Sequence, residues 1–311
     1  MEDGHVVVIG SAGIDVKGRP QQEPLTWGVP NLGRIRNSVG GVARNIAENL
    51  ARLEVPVTLL TAIGADSAGQ RVQRTCEHAG INCRYIQRVP GSRTGTYMAL
   101  LHPNGQLNVA LSDFEIGSNI DTAYITAHEH LLHDARLIVI DATLTEDALA
   151  TVFELADRYN VRVAAEPTTP SLAEKLCPYI SRLYFVTPNA SELRAMCGVD
   201  ASGDDRDTAI QAARQMVSMG AEIVVVTLGA AGLAYAHSGG GGFIRAIQTK
   251  VVDSTGAGDA FSGAAIFGLL NDVPLDEAMR LGITAASMTI ASKHTVLHNL
   301  SQEMLYDNLM V

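Results

Sequence analysis

The chain has 311 residues, 47% hydrophobic and 18% charged, with a formal net charge of -10 at pH 7. That length and apolar content suffice for a large core, built as one big α/β domain or one domain with a small appendage. The acidic balance excludes nucleic acid as a main partner, since a phosphate backbone needs a basic face, but leaves room for an anionic nucleotide held locally.

The chain opens Met1-Glu-Asp-Gly-His, with no basic segment ahead of a long apolar stretch, so no signal peptide is expected. Apolar runs at 137–140 and 223–226 are strand-sized, far short of a membrane span. Cys76, Cys83, Cys177 and Cys197 show no Cys-x-x-Cys or zinc spacing, which reads as reduced thiols in a cytoplasmic protein with no membrane partner.

Short β-branched runs at 5–9, 57–63, 137–140, 161–165, 183–186 and 222–227 alternate with amphipathic stretches such as 42–53, 148–159 and 208–219. Strands apolar on both faces and separated by helices predict a parallel sheet with crossover connections. Just past the first strand, Gly10-Ser-Ala-Gly-Ile-Asp15 sets a carboxylate at the sheet edge where open α/β sheets bind ligands. Asp15 either accepts from a pair of sugar hydroxyls or begins a turn. The glycine spacing there is no dinucleotide fingerprint, which disfavours a nicotinamide oxidoreductase.

Two segments leave the α/β rhythm. Residues 16–37 are rich in Pro, Gly and basic side chains. Runs at 94–101 and 106–111 are strand-like and joined by His102-Pro-Asn-Gly105, a good hairpin turn. Segments 16–37 and 93–112 are therefore expected to form a small sheet, a water-excluding lid on a single domain spanning 1–311. Between them, Gly40-Gly41-Val-Ala-Arg-Asn45-Ile-Ala-Glu-Asn49 opens a helix with Asn45 and Asn49 at or beside its apolar stripe. The asparagines either satisfy neighbouring backbone or, with Gly40 and Gly41, floor a polar pocket.

Further on, Val186-Thr-Pro-Asn189-Ala-Ser-Glu192 runs from a strand into a helix. Capping explains much of it; the functional reading has Asn189 and Glu192 orienting a hydrated Mg²⁺. In Thr227-Leu-Gly229-Ala-Ala-Gly232 a nucleotide can lie against bare backbone. The strongest feature is Asp253-Ser-Thr-Gly-Ala-Gly-Asp259, followed by an apolar helix. Gly256, Ala257 and Gly258 let backbone N–H groups approach an anion, and Asp259 sets a carboxylate beside them. A base next to an anion cradle is what moving a phosphoryl group onto an alcohol requires; the plainer reading is a capping Asp.

Together these residues resemble the PfkB (ribokinase-like) family of carbohydrate and nucleoside kinases over nearly the whole chain. Asp253 to Asp259 carries its C-terminal signature, Gly40-Gly41, Asn45, Ala47 and Gly64 its N-terminal one, and Asn189-Ala-Ser-Glu192 its Asn-x-x-Glu motif. Glu54 departs from the pattern, where glycine or serine is usual, and only a local packing change is expected. Stretches such as Arg44-Asn45-Ile46-Ala47 are most similar to the branch that phosphorylates pseudouridine.

The resemblance implies a ribokinase-like α/β fold, a parallel-rich central sheet flanked by helices with a small β-sheet lid. It implies ATP-dependent phosphorylation of a ribosyl 5′-hydroxyl, with Asp259 as base and Gly256, Ala257 and Gly258 as anion hole. Asp15, Gly40, Gly41 and Asn45 would hold the ribose; Thr96, Asn108 and Asp113, with Thr94, would read the base. Asn189, Thr227, Gly229, Gly232 and Ala286 would bind ATP, Asn189 and Glu192 would act on Mg²⁺ through water, and Asp253 and Thr255 would take a monovalent cation such as K⁺. A small-molecule nucleoside substrate and a homodimer through the lid strands are implied as partners. A different acceptor (ribose, adenosine or a sugar phosphate) keeps the chemistry, and Arg34, Arg36 and Arg93 leave a phosphosugar open. A catalytically silent ligand-binding protein is disfavoured by the intact signature aspartates.

Overall fold

The computed structural model describes residues 4–104, 107–201 and 206–309. In chain order its strands are β1 (His5–Ile9), β2 (Gly13–Pro20), β3 (Gly33–Gly40), β4 (Val57–Leu60), β5 (Ala62–Gly64), β6 (Gln87–Val89), β7 (Gly95–Leu101), β8 (Leu107–Asp113), β9 (Ala135–Asp141), β10 (Val163–Glu166), β11 (Leu183–Val186), β12 (Ile223–Thr227), β13 (Gly232–His237) and β14 (Gly240–Arg245). An eight-stranded sheet runs in the order β14-β13-β12-β11-β10-β9-β1-β4. Its strands from β4 to β12 pair in parallel, and β13 and β14 continue one edge antiparallel.

The burial of β1 explains the architecture. Val6 and Val8 join an apolar cluster with Ile46, Leu50, Phe261 and Leu281, while Val7 and Ile9 join another with Leu149, Phe153, Leu193 and Met216. A strand buried on both faces is apolar at every position and needs helices on both sides, which is the α/β fold read from the sequence. The helical stretches at 42–53, 148–159 and 208–219 are helices Val42–Arg52, Glu146–Tyr159 and Arg206–Ser218. No helix among the described residues is long and apolar enough to cross a membrane.

The segments outside the α/β alternation make a second sheet, ordered β3-β2-β7-β8. Gly105 and Gln106 of the predicted hairpin lie outside the described residues. β2 leaves the end of β1 almost at once, so this sheet stands at the carboxyl edge of the large one. Glu54 takes a left-handed backbone (φ 65) just past the Val42–Arg52 helix, which is why glycine suits that position. Gln302 Nε2 donates to the Leu53 carbonyl at 2.9 Å and ties the turn down.

Candidate active site

The carboxyl ends of the parallel strands converge on one region: Gly10 after β1, Asp141 closing β9, Glu166 closing β10, Asn189 after β11 and Thr227 closing β12. Two helices begin there, and their starts differ. The Val42–Arg52 helix has its first N–H groups satisfied by loops: Val42 donates to Ser11 Oγ (3.0 Å), Ala43 to Asp141 Oδ2 (3.0 Å) and Arg44 to the Ser11 carbonyl (3.1 Å). Asp141, fully buried, also accepts from the Ser11 N–H (2.9 Å) and hydroxyl (2.6 Å), so it locks β1, β9 and this helix together. The Ala257–Leu270 helix has no side-chain cap: Gly256 occupies the N-cap at φ 82. A Cβ there would sit 2.1 Å from the Thr295 carbonyl, whereas one on Gly258 would meet only open space. The Ala257 N–H reaches the Ser254 carbonyl at 3.4 Å, while those of Gly258 and Asp259 have no partner among the described residues; N–H groups left open at a helix start suit an anion.

Asp259 lies in the first turn of that helix and is buried. Asn45 Nδ2 donates to its Oδ2 at 2.6 Å. The orientation of Asn45 is fixed from behind, because its Oδ1 accepts from Arg44, and a guanidinium can only donate. Arg44, 2% exposed, also donates to the Gly40 carbonyl (3.2 Å), to the Val39 carbonyl and to Glu48. Glu48 in turn accepts from Arg52 Nε (2.9 Å) and Nη2 (2.6 Å). Burial pushes the Asp259 carboxyl up to about 7; the Asn45 hydrogen bond and the Arg44 charge pull the other way, and Asp15 and Asp141 add to the rise. A carboxylate poised near neutrality can take a hydroxyl proton and later release it.

Asp15 faces the same space from β2. Its pKa is raised, by burial first, with Lys17 and Arg44 opposing. A Cβ on Gly40 would lie 2.1 Å from Asp15 Oδ1, and one on Gly41, at φ 97, 2.5 Å from the Ala12 Cα. Both glycines are therefore required by close approach, and Asp15, Gly40, Gly41, Asn45 and Asp259 come together as the sequence suggests.

Thr227, Gly229, Gly232 and Ala286 line a mainly apolar cavity of about 280 Å³ that ends at Ala257 and Gly258. The cavity leads from the uncapped helix start to the helix Leu275–Ile290, a path along which a flat ring and a phosphate chain can lie.

Asn189 and Glu192 form a capping box: Asn189 Oδ1 accepts from the Ser191 (2.9 Å) and Glu192 (3.0 Å) N–H groups, and Glu192 Oε2 accepts from the Asn189 N–H (2.9 Å). The capping reading is thus realised: it takes the only side-chain oxygen of Asn189 and one of the two on Glu192, leaving Glu192 Oε1 and the Asn189 amide nitrogen outside it. Glu166, which sequence reasoning missed, accepts from Thr187 and from Ser262 Oγ (3.0 Å). Burial holds the Glu166 carboxyl well above its usual range, and Glu192 and Asp259 push the same way. A buried acid raised further by neighbouring acids is one whose charge a divalent cation would relieve. Among the described residues no three His, Cys, Asp or Glu side chains are grouped to ligate a metal; the oxygens of Glu166 and Glu192 are of the hard type that Mg²⁺ takes, directly or through its water.

Asp253 Oδ1 accepts from the Thr255 N–H at 3.0 Å, but its Oδ2 is taken by Lys17 Nζ at 2.8 Å. An ammonium thus stands where the sequence reading expects a monovalent cation, and it helps hold the Asp253 carboxyl below its usual range.

The base-reading candidates are not brought to the site. Thr96 pairs with Ile14 and Asp113, which puts Thr96 and Asp113 on the face opposite Asp15. Asn108 is exposed near the far end of β8, and Thr94 bonds to Asp66 and to the Gly64 N–H. The strand neighbours on the face of Asp15 are Ser38 on one side and Tyr97 on the other, with Ser112 beyond Tyr97. Burial and the Asp15 charge raise the Tyr97 phenol. Asp141 and Glu166 carry one signal, a carboxylate directly ending an apolar strand run.

The family profile described as pfkB family carbohydrate kinase matches residues 3–301. The chain belongs to the pfkB family. Among pfkB relatives it is 32% identical over 295 residues to the pseudouridine kinase of Escherichia coli K12, covering 94% of this chain and 93% of that one. It is 28% identical over 257 residues to the ribokinase of Haemophilus influenzae, covering 82% and 81%. The ribokinase of Arabidopsis thaliana, solved with ribose and ATP, superposes with a TM-score of 0.81 at 21% identity, covering 99% of both chains. The fold is ribokinase-like, and the activity class that follows from the pfkB family is phosphotransfer to a sugar or nucleoside.

Proposed function

We propose that the protein transfers the γ-phosphoryl group of ATP to the ribose 5′-hydroxyl of pseudouridine, giving pseudouridine 5′-phosphate and ADP. The observation that carries the chemistry is the buried Asp259 carboxylate, held at 2.6 Å by Asn45 in the first turn of a helix without a side-chain cap. Asp259 takes the hydroxyl proton, while the backbone of Gly256, Ala257 and Gly258 stabilises charge on the transferring group. Asp15, Gly40, Gly41 and Asn45 hold the ribose, and Tyr97 and Ser112 face the base. Asn189, Thr227, Gly229, Gly232 and Ala286 hold ATP. Asn189 and Glu192, with Glu166, hold hydrated Mg²⁺, which supplies charge neutralisation on the donor phosphates. The Lys17–Asp253 pair supports a reaction without K⁺. Choice of pseudouridine rests on the likeness to the E. coli enzyme.

The whole chain acts as one cytoplasmic domain with the small sheet as lid. Ile35, Met98, Val109 and Leu111 are exposed on or beside that sheet, which supports a homodimer formed through it. The test is product analysis by mass spectrometry after incubation with ATP, Mg²⁺ and, separately, pseudouridine, uridine, adenosine and ribose. Pseudouridine phosphorylated well above uridine supports the reading; preferential turnover of ribose or adenosine overturns the acceptor, and no product from any of the four overturns this set of acceptors.

A further inference from the structure

We infer that Lys17 is a positioning residue whose ammonium the small sheet carries to the donor loop. There it takes the place of a free monovalent cation and completes the anion site at the start of the Ala257–Leu270 helix. The role rests on the donor site proposed above and gives that site a part supplied from the acceptor strand. Lys17 follows Asp15 by two positions on β2, so both side chains leave the same face. Asp15 faces the acceptor space. Lys17, 9% exposed, crosses instead to Asp253 and donates to its Oδ2 at 2.8 Å, a partner 236 residues away in the chain.

The place it reaches is built for a cation. The Val252 and Asp253 N–H groups donate to the Ile290 carbonyl at 2.9 and 3.2 Å, which sets Asp253 beside the electronegative end of the helix Leu275–Ile290. Asp253 Oδ1 accepts from the Thr255 N–H at 3.0 Å, one residue before the Gly256 N-cap, and Ser254 between them lines the donor cavity. A bare carboxylate there would set negative charge against the donor phosphates; a paired one fixes the turn that aims the open N–H groups. Two further contacts join the same pieces. Arg19 Nη2 donates to the Val252 carbonyl at 3.4 Å, and Ser38 Oγ on β3 lies 3.3 Å from Thr295 Oγ1, beside the carbonyl that crowds Gly256. Of the three contacts, only that of Lys17 joins opposite charges. Arg19 and Lys293 line the cavity of about 650 Å³ that opens beside the pair, and among the described residues neither pairs with Asp253. That cavity admits a small ion where the ammonium is removed.

Two readouts without turnover test the role, on the full chain in potassium, ammonium and choline chloride at equal ionic strength. The variant is Lys17→Met, which keeps the apolar stem and loses the charge; Lys17→Gln takes its place if it does not fold. In thermal unfolding without nucleotide, the parent should melt alike in all three salts. The variant should melt higher in potassium or ammonium than in choline, because a cation bound only to the native state stabilises it. In calorimetric titration with Mg²⁺ and a non-hydrolysable ATP analogue, the variant in choline should bind roughly tenfold more weakly than the parent, and potassium or ammonium should restore most of the loss. Lys17→Met/Asp253→Asn, with no charge left to balance, should ignore the cation in both readouts. The tethered cation is overturned by a parent that itself requires potassium, or by a variant equal to the parent in choline. It is equally overturned by a deficit that no cation restores, or by a pair variant that still responds. A parent that binds no analogue in any salt overturns the donor site as well, which tells the two failures apart.

Discussion

Replacing Asp259 by Asn should abolish turnover and at the same time make the protein more stable. The carboxyl has an ordinary value of 3.8 and rises to about 7 on folding, chiefly through burial. Between those pH values the unfolded chain has lost a proton that the native state retains, so native stability falls as pH rises through the window. Above pH 7 the ionised group costs roughly 4 kcal/mol, a deficit absent below pH 4. An amide keeps an acceptor for Asn45 and carries no charge. The stabilisation of Asp259→Asn should therefore be near zero at pH 4 and grow to a few kcal/mol at pH 8, a rise of ~6 °C in Tm for a chain this long. Urea unfolding of both proteins from pH 4 to 8, without nucleotide, measures it. A variant no more stable than the parent at pH 8, or equally stabilised at both ends, refutes the buried-base argument. Turnover should fall by about 10² or more, with ATP still bound in a calorimetric titration.

Three further outcomes follow from the same geometry. Asp15→Ala, and Gly40→Ala through the clash of its Cβ with Asp15, should raise the acceptor KM at least tenfold while changing the KM for ATP little, read from initial rates. Ala286→Trp, filling the cavity of about 280 Å³, should do the reverse, raising the KM for ATP at least tenfold. The pair Arg44→Gln/Glu48→Gln, which removes both charges together, should move the acidic limb of kcat/KM to higher pH, because Arg44 lowers the Asp259 pKa; an unmoved limb would show that Arg44 acts only in packing.

Much of the fold was legible because buried parallel strands are written as unbroken apolar runs, and the run at 183–186 is a strand with those bounds. The antiparallel pair β13 and β14 was not, since Gly239 to Gly242 carry no side chains to signal a strand and the sheet edge supplies the pairing. At the site, glycines next to carboxylates were informative because both partners lie close in sequence or in a signature. Side-chain facing in the small sheet was not: a period of two means that one residue decides the face, and Thr96 and Tyr97 differ by that step. Asp141 and Glu166 went unseen because their partners, Ser11 and Ser262, are distant in the chain and only the sheet brings them together.

Residues facing the acceptor space all precede position 113, apart from Asp259, and those lining the donor cavity all follow position 226. The two lists meet only in the helix start that carries Asp259, so the first third of the chain can be exchanged for that of a relative to change what is phosphorylated without rebuilding what supplies the phosphate. The seam of such a hybrid is the hydrogen bond from Asn45 to Asp259. A graft that brings its own helix start but loses the guanidinium behind that amide would assemble both halves and leave them out of register.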